Sequence, residues 1–352
     1  MPFPSREWHL TTRPIGEPKP ADFTLVTTTV PDPAPGQVIV RNDLMSVDPY
    51  MRGRMNDRKS YIPSFNLGEA MDGAAVGTVV ASRADDVQPG TAVSHFAGWR
   101  EYSLVNAAEV KVIDVDIAPA SAYLGVLGAT GITAYAGLTE IAPVTRDDVV
   151  FISGAAGAVG TVAGVVARHL GAAKVIGSAG GPDKSRRLVD GFGFDIGLDY
   201  REGDLPGQLA AAAPDGIDVY FDNVGGDHLE AALGAINTHG RIALCGAISV
   251  YNDIEPSPGP NNLVLAIGKR LSLRGMNVND HEHLVADYRQ HAVGWLKDGL
   301  LRTEQTIVVG IENAVEGFLA MMRGAHTGKT LIELTRSLNY VQAICAIQGQ
   351  EA

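Results

Sequence analysis

The chain has 352 residues, more than one ordinary core holds, so two domains are expected. Hydrophobic residues make up 45% and glycines number 41, which suits a packed α/β protein rich in tight turns and excludes a disordered one. A formal net charge of -12 argues against nucleic acid and anionic membrane surfaces as partners and leaves a small neutral or weakly polar substrate.

The opening MPFPSREWHL places polar residues and prolines where a signal peptide needs an apolar core. No apolar run reaches the ~20 residues a bilayer span requires, so a soluble cytoplasmic protein is expected. Residues 1–124 read as strand-rich, with runs at 23–30, 37–41, 74–81 and 101–105 between Pro/Gly turns such as Pro31-Asp32-Pro33-Ala34-Pro35-Gly36. They predict a compact β-barrel-like domain.

The pattern then changes. An apolar strand at 148–153 leads to a small-residue helix at 161–170 and a second strand at 174–178. A helix near 184–191 follows, with strands at 196–199, 218–222 and 241–245. Strands alternating with helices, most of them apolar on both faces, predict a doubly wound parallel sheet. A strand at 305–309, a helix at 311–323 and a strand at 330–334 are expected to rejoin the first domain, interleaving the two. The tail 337–352 carries no motif beyond Cys345 and reads as either a disordered end or a small interaction segment.

In VVFISGAAGAVGTVAGVVARHLG, residues 149–171, Gly154, Gly157 and Gly160 fall three apart where a buried strand meets a helix. A tight turn, close approach of a pyrophosphate to backbone N–H groups, and a helix N-terminus aimed at the phosphates all call for glycine there. Glycines can also serve close helix packing alone. The strand–turn–helix context is what favours the dinucleotide reading. NAD sites usually end the second strand with an acid that binds the ribose hydroxyls. Here Ala179-Gly180-Gly181 follows that strand, and Lys184, Arg186 and Arg187 come soon after. A missing carboxylate beside cations points to NADP(H) and its 2′-phosphate, although Asp183 and an ordinary solvated helix face are the competing reading.

Residues 1–124, where zinc ligands would be expected, hold no cysteine, and only Cys245 and Cys345 occur in the chain. The one metal-like cluster, His281-Glu282-His283, has two histidines and no third ligand in view, so it reads as a solvated loop. No Tyr-x-x-x-Lys pair is present to stabilise an alkoxide. Hydride addition to an activated double bond fits better, because one hydroxyl donor can serve the enolate oxygen.

Further blocks carry a resemblance. They are Arg6-x-Trp8, DPYMRGRM at 48–55, Gly98-Trp99-x-Glu101-Tyr102, Gly125-Val126-Leu127-Gly128, Thr133-Ala134-Tyr135, DNVGG at 222–226 and CGAISVYN at 245–252. Together they resemble the zinc-independent medium-chain reductases, the group of prostaglandin reductases, plant alkenal double-bond reductases and bacterial curcumin reductases, from about Arg6 to Leu334. The resemblance implies a GroES-like, barrel-type catalytic domain (1–124 and 305–352) and a Rossmann NADP-binding domain (125–304), paired as a homodimer.

It also implies roles for individual residues. Gly157, Ala158, Val159 and Gly160 would contact the pyrophosphate, and Lys184 the 2′-phosphate. Tyr200 would pack near the adenosine, and Asn223 would lie on the cofactor path. Cys245, Gly246, Ala247, Ile248 and Ser249 would line the nicotinamide half, flanked by Met276, Asn277 and Val278. Tyr50 and Tyr61 would stand near the substrate pocket and Tyr251 beside the substrate carbonyl.

Three departures fall where the substrate is chosen. His326 stands where the group has asparagine and would take over its contact to the nicotinamide side, Met276-Asn277-Val278 is unusually polar, and Gly128-Ala129-Thr130-Gly131 lacks a common proline. The expected reaction is NADPH-dependent reduction of the C=C bond of an α,β-unsaturated aldehyde or ketone. Hydride would reach the β-carbon, with the enolate held by Tyr251 and the nicotinamide ribose 2′-hydroxyl. Tyr251 packing idly against the cofactor, a quinone reductase on the same fold, and a cofactor-binding protein without turnover stay open.

Overall fold

The computed structural model describes residues 3–334. Strands β1 (Phe3–Leu10) and β2 (Phe23–Val30) pair antiparallel over their whole length. Strands β3 (Gln37–Ser46), β4 (Ala75–Ser82), β5 (Ala92–His95), β6 (Tyr102–Asn106) and β7 (Lys111–Val112) then build the antiparallel part of a second sheet. The chain crosses into a parallel sheet made of β8 (Val149–Ile152), β9 (Lys174–Ala179), β10 (Ile196–Asp199), β11 (Ile217–Asp222), β12 (Ile236–Leu244) and β13 (Ser272–Gly275). Finally β14 (Gln305–Val309) and β15 (Lys329–Glu333) return to the second sheet, where β15 lies antiparallel to β3 with Leu331 opposite Ser46.

The parallel sheet runs β10-β9-β8-β11-β12-β13, the doubly wound order, which puts the switch point at the carboxyl ends of β8 and β11. Its central strands are mostly apolar on both faces because helices cover both. Val150, Phe151 and Ile152 of β8 are fully buried, as are Val162, Ala163, Val166 and Ala167 of the helix Ala158–His169 laid against it. Burying each of these valine, isoleucine and phenylalanine side chains stabilises the fold by about 1.5–3 kcal/mol. The returning segment is locked into the first half by Trp99, fully buried and edge-on to Phe318 of the helix Ala314–Met322, with ring centroids 6.2 Å apart.

Several elements were not read from the sequence: β1, β13, and the helices Ala129–Ala136, Leu205–Ala212, Gly226–Ala235 and Val285–Lys297. The tail 337–352 and Cys345 lie outside the described residues. Among the described residues, no helix is long and apolar enough to cross a membrane.

Candidate active site

The switch point opens on the glycine loop. Gly154 turns with φ +58°, a conformation that strains any L side chain, and the Gly157 N–H donates to its carbonyl at 3.0 Å. A Cβ on Gly160 would fall 2.5 Å from the Gly154 oxygen and 2.6 Å from Ala155 Cα, so a side chain there would push the helix off the loop. No side chain caps that helix, which leaves the N–H groups of Ala158, Val159 and Gly160 for an anion. The Gly328 N–H donates to the Ala156 carbonyl at 2.8 Å, so the segment before β15 forms one lip of the cradle. A cradle that rejects a Cβ and ends in an uncapped helix fits a dinucleotide pyrophosphate.

At the tip of β9, the Gly181 N–H is held by the Asp199 carboxylate at 2.8 Å. Lys184 donates to the carbonyls of Gly324 and His326 at 2.7 and 2.5 Å. Its pKa is lowered by burial first and by the positive charge of Arg201 second. Arg201 is the cation the sequence reading missed. A Cβ on Gly180 would lie 2.9 Å from Arg201 Nε and 2.7 Å from the Tyr200 hydroxyl, so both side chains cover that turn. Arg186 and Arg187, which the sequence reading placed beside Lys184, instead pair with Asp183 at 3.6 Å and Glu304 at 2.6 Å. Tyr200 meets His228 edge-on at 5.1 Å. His228 Nε2 is buried without a hydrogen-bond partner, and burial lowers its pKa. His326 stands with Lys184 through its carbonyl and with Thr330 through its imidazole, 3.0 Å from Oγ1.

The loops after β11 and β12 form the next wall. The buried Asp222 carboxylate accepts from Tyr220 Oη (2.7 Å) and from the N–H groups of Val224 (2.9 Å) and Gly225 (2.8 Å), fixing the DNVGG turn. Asn223 Nδ2 donates to the Ser153 carbonyl at 2.8 Å, which ties this turn to the glycine loop. The Cys245 and Gly246 N–H groups donate to the Asp222 carbonyl, and those of Ile248 and Ser249 to the carbonyls of Asn223 and Val224. The Cys245 thiol is pushed up to about 12 by burial and then by Asp222, so it stays protonated. Met276 and Val278 pack on the apolar core, while Asn277 accepts from the Asn279 N–H and caps the turn Val278–Leu284. That capping accounts for the polar residue in this position.

Tyr251 folds back over its own loop. Its oxygen accepts the Ala247 N–H at 3.2 Å, which leaves the phenolic hydrogen free to donate elsewhere. Burial raises its pKa, and the Ala247 hydrogen bond opposes that rise. Tyr61 is 62% exposed, yet its hydroxyl is raised by partial burial and then by Tyr251 and Cys245 beside it. Tyr50 has a buried, unpartnered hydroxyl, raised by burial and by Asp48, with Tyr61 among its neighbours. Tyr61 thus stands between Tyr50 and Tyr251, feeling the charge of Tyr251 and lying among the neighbours of Tyr50.

The charges of DPYMRGRM brace that wall. Asp48 accepts from Lys329 and Ser46, Arg54 forks onto Asp72, and Arg52 donates to Asn252 at 3.0 Å and to the Gly16 carbonyl at 2.7 Å. Arg52 thus ties the short helix Tyr50–Arg54 to the residue after Tyr251.

One expectation is corrected. The His281-Glu282-His283 stretch is not a plain solvated loop lacking a third ligand: His281 is buried, and both imidazoles reach Glu140. Glu140 lies more than a hundred residues earlier, on a turn that only the folded chain brings near.

Residues 6–113 match the family described as N-terminal domain of oxidoreductase, and residues 158–298 the one described as zinc-binding dehydrogenase. The chain is 38% identical over 336 residues to the NADPH-dependent curcumin reductase of Escherichia coli (strain K12), covering 94% of this chain and 97% of that one. It is 38% identical over 328 residues to the 2-alkenal reductase (NADP(+)-dependent) of Nicotiana tabacum, covering 91% and 95%. The crystal structure of CurA in complex with NADPH from Vibrio vulnificus matches with a TM-score of 0.89 at 34% identity, covering 94% of this chain and 99% of that one. With a barrel-type half interleaved with a Rossmann half, and such identity across nearly whole chains, the protein belongs to the medium-chain NADP-dependent oxidoreductases, in the group of the curcumin and alkenal reductases.

Proposed function

We propose that this protein reduces the C=C bond of α,β-unsaturated aldehydes or ketones with NADPH and without a catalytic zinc. The observation that carries the reading is the Tyr251 hydroxyl, satisfied as an acceptor by Ala247 and therefore poised as a donor, within a cluster of phenols. The bound cofactor would supply hydride to the β-carbon. The electron pair then moves to the carbonyl oxygen, where a neutral phenol donates a hydrogen bond to the developing enolate. A proton delivered to the α-carbon from Tyr251 or water completes the saturated product. With its pKa raised, Tyr251 stays protonated across neutral pH, as a donor must.

The uncapped cradle would hold the pyrophosphate. Lys184 and Arg201 would hold the 2′-phosphate, with Tyr200 against the adenosine. Among the described residues, no set of three His, Cys, Asp or Glu ligand atoms converges beside Tyr251, so zinc has no part in the proposed step. What supports a homodimer is the open edge strand β13 beside Val264 and Ile267, which are 68% and 78% exposed. Light scattering on the purified chain tests it.

The deciding experiment follows NADPH oxidation with trans-2-nonenal, a benzalacetone-type enone and a quinone in parallel, with NADH as control. A saturated carbonyl product establishes the reaction. Turnover of the quinone alone, or NADPH binding without consumption of any electrophile, refutes it.

A further inference from the structure

We propose that Glu140, His281 and His283 form a binding site for a divalent transition-metal ion of the zinc class, separate from the reductase chemistry. The three ligand atoms, one from each side chain, all lie within 4.8 Å of one another. They come from two elements. Glu140 sits on the π-helical turn Gly137–Ile141, and both histidines sit on the turn Val278–Leu284.

The local backbone explains the convergence. Residues two apart on a regular helix point to different sides. His281 leaves helical geometry, with φ -119° and ψ 30°, and this kink aims both imidazoles at one carboxylate. His281 Nδ1 lies 2.7 Å from Glu140 Oε2, and His283 Nε2 lies 2.9 Å from Oε1. The rings are 6.0 Å apart at 41°, side by side rather than stacked.

Two imidazoles and a carboxylate are the donor set zinc takes when a fourth position stays open to water. Zn–N and Zn–O bonds of about 2.0–2.2 Å in a tetrahedron separate donors by about 3.3–3.6 Å. The present hydrogen-bond spacings are about half an ångström shorter, so small side-chain rotations open the cluster to an ion. Access is built in. The His283 side chain is 59% exposed, whereas that of His281 is 10% exposed and anchors the site. Arg274 of β13 donates to the Glu140 carbonyl at 2.6 Å and holds the turn in place without occupying its carboxylate. Imidazole nitrogens select a borderline transition metal over magnesium or calcium. A bound ion would tie the turn that begins at Val278, just after Met276, to the turn that ends the helix Ala129–Ala136.

The test is zinc titration of the tag-free, chelator-stripped full chain by calorimetry, with magnesium as control. Wild type binds one zinc per chain with Kd on the order of micromolar or tighter. Glu140→Gln and His283→Gln each weaken that site at least tenfold, while NADPH binding stays within about twofold of wild type. His283 is exposed, so its variant folds. Absence of binding at ~100 μM zinc, or a site that survives both substitutions, overturns the proposal.

Discussion

Replacing Arg201 with methionine separates recognition of the 2′-phosphate from recognition of the rest of the cofactor. Arg201 covers the turn at the end of β9, and its charge, after burial, helps lower the Lys184 pKa, so the two cations lie near one another. Two like charges held together lose that repulsion when a dianion comes between them. A hydrogen bond to a charged partner contributes about 1.5–3 kcal/mol, and 1.4 kcal/mol is tenfold in affinity, so losing Arg201 should raise the NADPH Kd about 10- to 100-fold. Lys184→Met should fall at the lower end. The lysine must first leave the Gly324 and His326 carbonyls, and that exchange offsets part of its gain. NADH lacks the phosphate and should change less than about twofold in either variant. The assay is fluorescence titration of both nucleotides at two salt concentrations, since the Arg201 contribution should shrink as ionic strength rises. Equal losses for NADPH and NADH, or no loss in Arg201→Met, would refute this assignment.

Tyr251→Phe should lower kcat about 10²–10³-fold and leave NADPH affinity near wild type, because the missing donor acts on the developing enolate; stopped-flow and steady-state rates on one enone decide it. Gly160→Val should abolish measurable NADPH binding and lower Tm, since its Cβ would meet the Gly154 oxygen at 2.5 Å; calorimetry and thermal melts report both. His95 is buried against Asn42 Oδ1, and burial lowers its pKa to about 4. The folded state therefore favours neutral His95, whose stabilising effect is complete above about pH 6.5 and is lost as pH falls through 4. At 1.36 kcal/mol per unit this comes to about 3 kcal/mol. His95→Asn should narrow the difference in urea stability between pH 7 and pH 4.5, and an unchanged difference counts against the argument.

The parallel sheet was the legible part of the sequence. Central strands buried on both faces are mostly apolar, and the runs at 149–152 and 196–199 announce themselves whatever packs against them. The helix Val285–Lys297 was legible but passed over: Val285, Tyr288, Ala292 and Trp295 recur at helical spacing among polar residues. β13 was hidden for a physical reason. As a four-residue edge strand, Ser-Leu-Arg-Gly carries no alternation long enough to read. The glycine loop and Lys184 stood out by local pattern, and Tyr251 only through the resemblance carried by the CGAISVYN block; the roles proposed for Lys184 and Tyr251 rest on that reading. Arg201 did not stand out, because its place beside that turn comes from register: Asp199 lies beside Ala179, so residues after β10 come to the tip of β9. Glu140 escaped for the same reason, since no local pattern ties it to His281 and His283.

The same distinction bears on substrate choice. The DPYMRGRM block looks like a charged pocket wall in sequence, with Asp48, Arg52 and Arg54 in seven residues. In the fold those charges are committed to Lys329, Asn252 and Asp72, and what remains beside Tyr251 is phenolic. A carboxylate placed next to the reacting double bond would therefore lose its water for neutral neighbours, at a cost of several kcal/mol. Arg58 alters the picture farther out. It is exposed, and its positive charge opposes, as the smallest contribution, the burial that raises the Tyr251 pKa. An enone with a carboxylate directly on the alkene should thus be turned over at least about 100-fold less efficiently than its methyl ester. An enone whose carboxylate sits at the end of a long alkyl chain should approach its own ester in kcat/KM, and Arg58→Gln should remove that tolerance while sparing both esters. Equal efficiency for the short acid and its ester would show that a cation does reach the reacting centre, and the neutral-pocket argument would fail.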